Sequence, residues 1–568
     1  MILLLSTSDT DLLSARASGG PVRYRYANPS RLPLQDLPEL LEGTDLVVVR
    51  LLGGVRAWQD GLDQVLATGR PVVVLTGEQA PDAQLMAAST VPIGIAAEAH
   101  AYLAHGGPAN LDQLARFLSD TVLLTGHGFE PPAAAPSWGP LERMARPTED
   151  GAPTVAVLYY RAHHMSGNTA FIETLCRAVE AQGAHALPLY VASLRTPEPE
   201  LIETLRTADA IVTTVLAAGG TRPAEASAGG DDESWDAGAL TALDVPILQA
   251  LCLTSSHTDW QGNDEGVSPL DAASQIAVPE FDGRLITVPF SFKEIDEDGL
   301  PSYVADDERA ARVAGIAVRH ARLRHIPNAE KRIALVLSAY PTKHSRIGNA
   351  VGLDTPASAV ALLRRLRDEG YDFGDEEVPG LASGDGDELI YALIEAGGHD
   401  QEWLTEEQLA RNPVRIPAAD YRRWYATLPA ELREAVEEHW GPPPGEMFVD
   451  RSRNPEGDIV LAALRRGNLL ILIQPPRGFG ENPIAIYHDP DLPPSHHYLA
   501  AYRWIAARAE DNGFGADAMI HLGKHGNLEW LPGKNAGLSA ACGPDAALGD
   551  LPLVYPFLVN DPGEGTQA

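Results

Sequence analysis

The sequence predicts an α/β protein: several doubly wound, mostly parallel-sheet modules joined by loops and a helical insertion. Three observations carry this. Short β-rich apolar runs alternate with helix-period patterns from the first residues onward. A strand, a loop and a capped helix follow one another after Thr154 and again after Arg332. The chain, at 568 residues, is long enough for several domains. The expected divisions are 1–135, 150–328, 329–465 with a Pro-rich helical insertion, and 466–568 as the start of a catalytic α/β domain.

Composition removes some functions. The formal charge is −35, so the chain repels nucleic acid and anionic membranes. No run of about 18 apolar residues predicts a membrane span, and the apolar start at 2–5 has no basic flank, which reads as a first strand and not a leader. Cys176, Cys252 and Cys542 lie far apart, with no CxxC, as expected of reduced thiols in a cytoplasmic protein. An anionic ligand would need a local basic pocket, which makes the few Arg and Lys in motif loops informative.

In the first unit, runs 2–5, 46–51, 71–75 and 91–95 read as strands, with helices near 58–66 and 111–118. No GxGxxG is present, so no dinucleotide site follows. The Pro- and Ala-rich stretch from Glu130 begins a break that ends near Pro153. Strand 154–160 opens the second unit. The loop after it carries Arg161, His163 and His164, at the strand's carboxyl end, where open α/β sheets bind ligands. A helix capped by Asn168 or Thr169 and stopped by Gly183 follows. Glu280, Asp282 and Arg284 read first as a turn at Asp282-Gly283. A helix near 307–324 leads to the third unit. There, strand 332–337 meets a loop with Lys343, His344 and Arg346, whose charges suit carboxylates, and Thr355 caps the next helix with Pro356 at its first position. Later come strand 469–473, the loop Gln474-Pro-Pro-Arg477-Gly-Phe-Gly-Glu481, a short strand 484–487, then His496 and His497 before a helix from about 498 to 507.

The focal stretch is 519–534, Met-Ile-His-Leu-Gly-Lys-His-Gly-Asn-Leu-Glu-Trp-Leu-Pro-Gly-Lys. His521 is expected to end a buried strand, with the remainder a glycine-rich loop. His521, His525 and Glu529 form a nitrogen/oxygen set that suits a divalent transition metal and can move protons near neutral pH. A hydrogen-bonded surface loop explains the same spacing about equally well.

The pattern His521-x-Gly523-x-His525-Gly526-x-x-Glu529-x-x-Pro532-Gly533-Lys534 resembles the signature of the large subunit of cobaltochelatase and of its relative, the magnesium chelatase large subunit. The Leu-Tyr-Tyr-Arg-Ala-His run ending at His163 and the Gln474–Glu481 loop are also similar. The loop differs from the magnesium enzyme's, whose acid falls at the position of Gly480. The resemblance covers nearly the whole chain, and family subunits are about twice as long, so an N-terminal half is expected. It implies ATP-driven insertion of Co2+, as substrate, into hydrogenobyrinic acid a,c-diamide in aerobic cobalamin synthesis. ATP and Mg2+ would be held by an AAA+ ATPase subunit and an adaptor with an integrin-like domain, since this chain has no GxxxxGK[ST]. Under this resemblance Glu529, His525, His521 and Glu481 are catalytic candidates, with His521, His525 and Glu529 touching the metal. Arg477, Lys524, Lys534, His496, His497, Arg161, His163, Lys343 and Arg346 are candidates to hold the ring. Magnesium insertion into protoporphyrin IX and a non-catalytic tetrapyrrole-binding module remain alternatives.

Overall fold

The computed structural model describes residues 1–78, 80–146, 148–149, 151–217, 238–339, 349–350, 352–397, 406–478, 489–523 and 526–556. Strands β1 (Ile2–Ser6), β2 (Tyr24–Ala27), β3 (Leu46–Leu51) and β4 (Val72–Thr76) form a parallel sheet ordered β2-β1-β3-β4. Leu4, Val48 and Val73 enter the core on one face, Leu3, Val49 and Val74 that on the other. Two covered faces are why these strands read as unbroken apolar runs. β2 is a half-buried edge with two tyrosines and an arginine, which hid it in the sequence. Residues 91–95, expected as a strand, instead lead into the helix Ile93–His105. Its buried Ala96, Ala99, Tyr102 and Leu103 follow a helical period that outweighs the short apolar run.

The second sheet uses β5 (Trp138–Pro140), β6 (Thr154–Tyr160), β7 (His185–Val191), β8 (Ala210–Thr213), β9 (Ile247–Leu253), β10 (Leu285–Ile295) and β11 (Pro301–Ala305). Their order is β11-β10-β9-β8-β6-β7-β5, with the inner five parallel and both outermost strands antiparallel. β5 comes from within the expected linker. The loop expected at 161–168 is in fact a helical turn, Arg161–Ser166, closed by Gly167 at φ 73°. No residue in 161–166 opposes helix, and Met165 packs this turn against the first unit beside Ser14 and Gly107.

The remaining strands are β12 (Ile333–Leu337), the hairpin β13 (Asn349–Ala350) and β14 (Leu353–Asp354), then β15 (Val414–Pro417), β16 (Val449–Asp450), β17 (Asp458–Leu461), β18 (Ala463–Arg466), β19 (Leu469–Ile473), β20 (Ala518–Leu522) and β21 (Leu553–Val554). The third sheet runs β18-β19-β12-β20-β21, parallel except at β18. β12 thus lies between strands from 466–568, so the third and fourth expected units share one sheet. The chain builds β19 on one side of β12, then crosses to lay β20 on the other, and the strand order reverses there. Such a switch point opens a crevice at the strands' carboxyl ends. Ala334, Val336, Leu472 and Met519 face one core, and Ile333, Leu335, Ile471 and Ile520 the other. Asp354, one residue before the expected Thr355, caps the helix Thr355–Asp368 by accepting from Ala357 N at 3.0 Å. The insertion near 400–460 combines the helices Ala418–Tyr425 and Ala430–Trp440 with the antiparallel sheet β15-β17-β16. Among the described residues no helix is long and apolar enough to cross a membrane.

The helix Asp307–Arg322 joins the second unit to the end of the third. Arg309, 1% exposed, donates to Asp545 at 3.2 and 3.3 Å and to Glu308 at 2.5 and 2.6 Å, and Arg312 adds 3.1 Å to Asp545. Losing Asp545 leaves the buried Arg309 with only the exposed Glu308 as a counter-charge, a large part of the penalty of breaking a buried ion pair. Asp545→Ala is therefore expected to destabilise the folded chain by about 3 kcal/mol, read as a lower urea midpoint. An unchanged midpoint would mean the guanidinium is hydrated in solution.

Candidate functional site

Three strands of the third sheet end together. Val336 pairs with His521, Leu337 with both Leu522 and Ile473. The residues just beyond, Ser338 and Gln474, still join the ladder: Ser338 N donates to Leu522 O at 3.0 Å and Gln474 N to Leu337 O at 2.9 Å. Ser338 and Gln474 stand level at the sheet's carboxyl edge, and His521 lies on the same face two residues lower, opposite Val336; together they form a buried polar row, each 3% exposed or less. Among the described residues, Ser338 Oγ, Gln474 Oε1 and His521 Nδ1 have no hydrogen-bond partner. Such atoms are costly to bury, and a ligand edge is a place where that cost is tolerated.

His521 is the penultimate residue of β20, not its last. Strand period two turns it to the same face as Met519, the face covered by the helix His496–Ala506. From that helix Tyr502 OH meets His521 Nε2 at 3.1 Å. Burial lowers the His521 pKa to about 4, so the ring is neutral at physiological pH. Tyr502 is in turn 3.3 Å from Gln474 Nε2, which donates to Asn527 Oδ1 at 2.6 Å. Tyr498 OH also donates to Asn527 Oδ1, at 2.5 Å, and Asn527 Nδ2 donates to Pro475 O at 3.2 Å.

Two glycines of the signature are there for space. A Cβ at Gly523 would fall 1.6 Å from Ser338 Oγ. One at Gly526 would sit 3.0 Å from His521 Cε1 and 3.2 Å from its Nδ1. Backbone thus passes directly over the buried row. Gly526 N donates to Tyr555 OH, and Tyr555 also hydrogen-bonds Glu529. Burial and then the charge of Glu529 push the Tyr555 pKa upward. Glu529 itself is exposed above this layer.

The structure therefore brings His521, Gly526, Asn527 and Glu529 together with Gln474, and it adds Tyr498, Tyr502, Ser338 and Tyr555, which sequence reasoning misses. The spacing of Tyr498 and Tyr502, one helical turn apart, is the signal that could have found two of them. Lys524, His525, Glu481, Lys343 and Arg346 lie outside the described residues, as does the strand expected at 484–487. Among the described residues no cluster of three or more His, Cys, Asp or Glu is placed to hold a metal.

The other expected residues make structural contacts. His496 Nε2 meets Gly441 O at 2.8 Å and its Nδ1 meets Tyr421 OH at 2.9 Å, so both nitrogens are engaged. His497 Nε2 meets Val460 O at 3.1 Å, with its ring 4.4 Å from Phe448. Arg477, 3% exposed, donates to Asp489 O at 2.8 Å and Leu492 O at 3.0 Å, pinning that turn. Lys534 reaches the second unit: its Nζ donates to Gln261 O at 3.1 Å and Asn263 O at 2.7 Å and lies over the Trp260 ring. Trp260 Nε1 returns a bond to Gly537 O at 2.9 Å. Arg161 donates to Ala135 O in the linker at 3.3 Å. His163 packs edge-on against Phe171 and Tyr303, and burial lowers its pKa to about 4. These contacts of Arg161 and His163 stay within the second unit and its linker. Beside Pro532-Gly533-Lys534 opens a cavity of 840 Å³ whose lining carries Asp264, Asp306, Glu308, Glu431 and Asp491 against Arg309 and Lys534. That balance suits a cation better than a carboxylated ring.

Comparison with known proteins places this arrangement. The CobN/Magnesium Chelatase family model matches residues 100–568. The aerobic cobaltochelatase subunit CobN of Pseudomonas aeruginosa is 39% identical over 100% of this chain and 46% of the relative. A magnesium-chelatase subunit of Chlorobaculum parvum is 30% identical over 74% of this chain and 31% of the relative. A solved structure, the catalytic subunit of cobaltochelatase from Mycobacterium tuberculosis, is 65% identical with a TM-score of 0.86, covering 100% of this chain and 46% of that one. The chain thus spans less than half the length of these relatives.

Burial of His521 has a measurable consequence. Above pH 6.5 the ring is neutral in both folded and unfolded chains. As the pH falls from 6.5 toward 4, the unfolded chain takes up a proton that the folded chain refuses, so this group's share of stability is lost across that window. His521→Gln is expected to lessen the fall in Tm between pH 6.5 and 4.5. An identical slope would contradict a buried neutral ring.

Proposed function

The chain belongs to the CobN/magnesium chelatase family, and on that premise we propose that it is the tetrapyrrole-binding part of the large subunit of an ATP-dependent cobaltochelatase. Its reaction is insertion of Co2+ into hydrogenobyrinic acid a,c-diamide, in the cytoplasm, during aerobic cobalamin synthesis. The observation that carries the reading is the sheet's carboxyl edge. There an exposed carboxylate, Glu529, stands over a buried polar row at a switch point, on the stretch that bears the family signature. Likeness to cobaltochelatase proteins over the whole chain favours cobalt over magnesium.

Insertion asks for two things: the metal must shed water and the ring must lose inner N–H protons. Glu529 suits either task, as proton acceptor or as transient metal ligand. Its exposure leaves it reachable by a ring lying on the edge, and Tyr555 holds its orientation by a hydrogen bond. His525 is proposed to meet the metal beside it, since neutral imidazole binds cobalt well. A single exposed carboxylate with one imidazole holds a metal loosely, as a site that must release it requires. Arg477 and Lys534 have donors committed to backbone carbonyls, so we assign them to shaping the rim. Lys524, Lys343 and Arg346 are left as the proposed partners of ring carboxylates. ATP hydrolysis is assigned to a separate AAA+ subunit working through an integrin-domain adaptor, a reading supported by the lack of a GxxxxGK[ST] pattern in this sequence.

Glu529→Gln keeps the size and most hydrogen bonding of the side chain but removes its charge and basicity. In the complete chelatase it is expected to cut the rate of cobalt insertion by about 100-fold, the scale of losing a positioned acid or base, while ring affinity changes far less. A near-wild-type rate with a lowered Tm would make Glu529 structural.

A further inference from the structure

The buried polar chain beneath His521 has a direction that follows atom by atom as far as Tyr502. Pro475 O can only accept, so the Asn527 atom facing it at 3.2 Å is the amide nitrogen. Asn527 Oδ1 then points the other way and must accept, from Tyr498 OH at 2.5 Å and from Gln474 at 2.6 Å. The Gln474 atom there is therefore its nitrogen. The same NH2 group lies 3.3 Å from Tyr502 OH, and an amide nitrogen cannot accept, so the phenol oxygen accepts its second proton. A phenol has one proton to give. The Tyr498 oxygen lies beside this hydroxyl too, but it is His521 Nε2, 3.1 Å away, that we take to receive the proton. Nε2 is the acceptor, and in a neutral imidazole the proton then sits on Nδ1.

We propose that Tyr502 is a positioning residue that fixes His521 as the Nδ1–H tautomer. The imidazole's one lone pair is spent on Tyr502, inside the protein. Its N–H is turned toward the backbone of Gly526, where a Cβ would come within 3.2 Å of Nδ1. His521 thereby presents an N–H to the signature loop, with no acceptor for it among the described residues, and it is not a cobalt ligand. Gln474, Asn527 and Tyr498 act through Tyr502 by setting the sense of each bond. The consequence for catalysis rests on the chelatase reading above; the tautomer does not. In that reaction the N–H at this place faces the loop that carries Glu529, and metal contact falls to groups nearer the surface.

The test has two parts. The full chain, labelled with 15N-histidine, is examined by long-range 15N–1H correlation, with His521→Gln identifying the His521 signals. The wild type is expected to show a pyrrole-like Nδ1 and a pyridine-like Nε2 at residue 521. Tyr502→Phe, which keeps the ring and removes the hydroxyl, is expected to give a mixture of both tautomers. Where Tyr502→Phe fails to fold, Gln474→Met, which releases the Tyr502 proton from its fixed sense, takes its place. In the complete chelatase the folded variant is expected to lower kcat about 10-fold, the usual scale for a residue that orients a ligand group, with KM for the ring within about twofold. A protonated Nε2 in the wild type overturns the proposal, whatever the chain binds. An Nδ1–H tautomer that persists unmixed in the variant overturns the role of Tyr502. A shifted tautomer with normal kcat, while Glu529→Gln still abolishes insertion, overturns positioning as part of the reaction. Normal insertion in both variants instead counts against the reading of this edge as the chelatase site.

Discussion

A parallel sheet ends its strands on one side, and the candidate site follows from that constraint. β12, β19 and β20 stop together, so Ser338 and Gln474 stand level just past their ends, with His521 on the same face two residues below, without any long-range design. The reversal of strand order at β12 opens the crevice above them. Everything nearer the surface is then fitted to this row. Gly523 is small because Ser338 Oγ is beneath it, and Gly526 is small because the His521 ring is. Glu529 reaches solvent because the loop has crossed the row before turning outward.

Burial makes the row selective. A polar group without water must find a partner or remain unsatisfied at a cost of about 1–3 kcal/mol. Tyr498, Tyr502, Gln474 and Asn527 bond one another and reach the imidazole of His521, while Gln474 Oε1, Ser338 Oγ and His521 Nδ1 stay without a partner among the described residues. The desolvation that lowers the His521 pKa also keeps that ring from changing charge near neutral pH. On the proposed reading, the proton work then falls to Glu529 above. Around this centre the cations serve assembly. Lys534 caps the carbonyl end of His257–Gln261, and Arg309 holds Asp545, so the end of the signature and the segment beyond it are tied to the second unit.

Much of the fold was legible in the sequence because doubly covered parallel strands must be apolar on both faces. β1, β3, β4, β6, β12, β19 and β20 all appeared as short apolar runs. The edge strand β2 did not, because one exposed flank admits polar residues, and β5 was hidden in a linker by its proline. Residues 91–95 misled because five apolar residues fit a strand as well as the start of a helix. In the site, His521 and Glu529 were visible through their spacing within one loop. The tyrosine, glutamine and asparagine that set the state of His521 come from two other segments and from a position between those two residues. Only folding brings them within 3.3 Å. The partners of the basic residues were hidden for a related reason: sequence displays a charge but not the backbone carbonyls that will claim it, as at Arg477 and Lys534.

The central claim is that the ring is received at the carboxyl edge of the third sheet. Hydrogen–deuterium exchange of the intact chain, with and without hydrogenobyrinic acid a,c-diamide, tests it directly. The account predicts slowed exchange at residues 474–478 and 521–534, with the second unit's strands unchanged. Protection confined to the second unit, or to the acid-lined cavity beside Lys534, would contradict it.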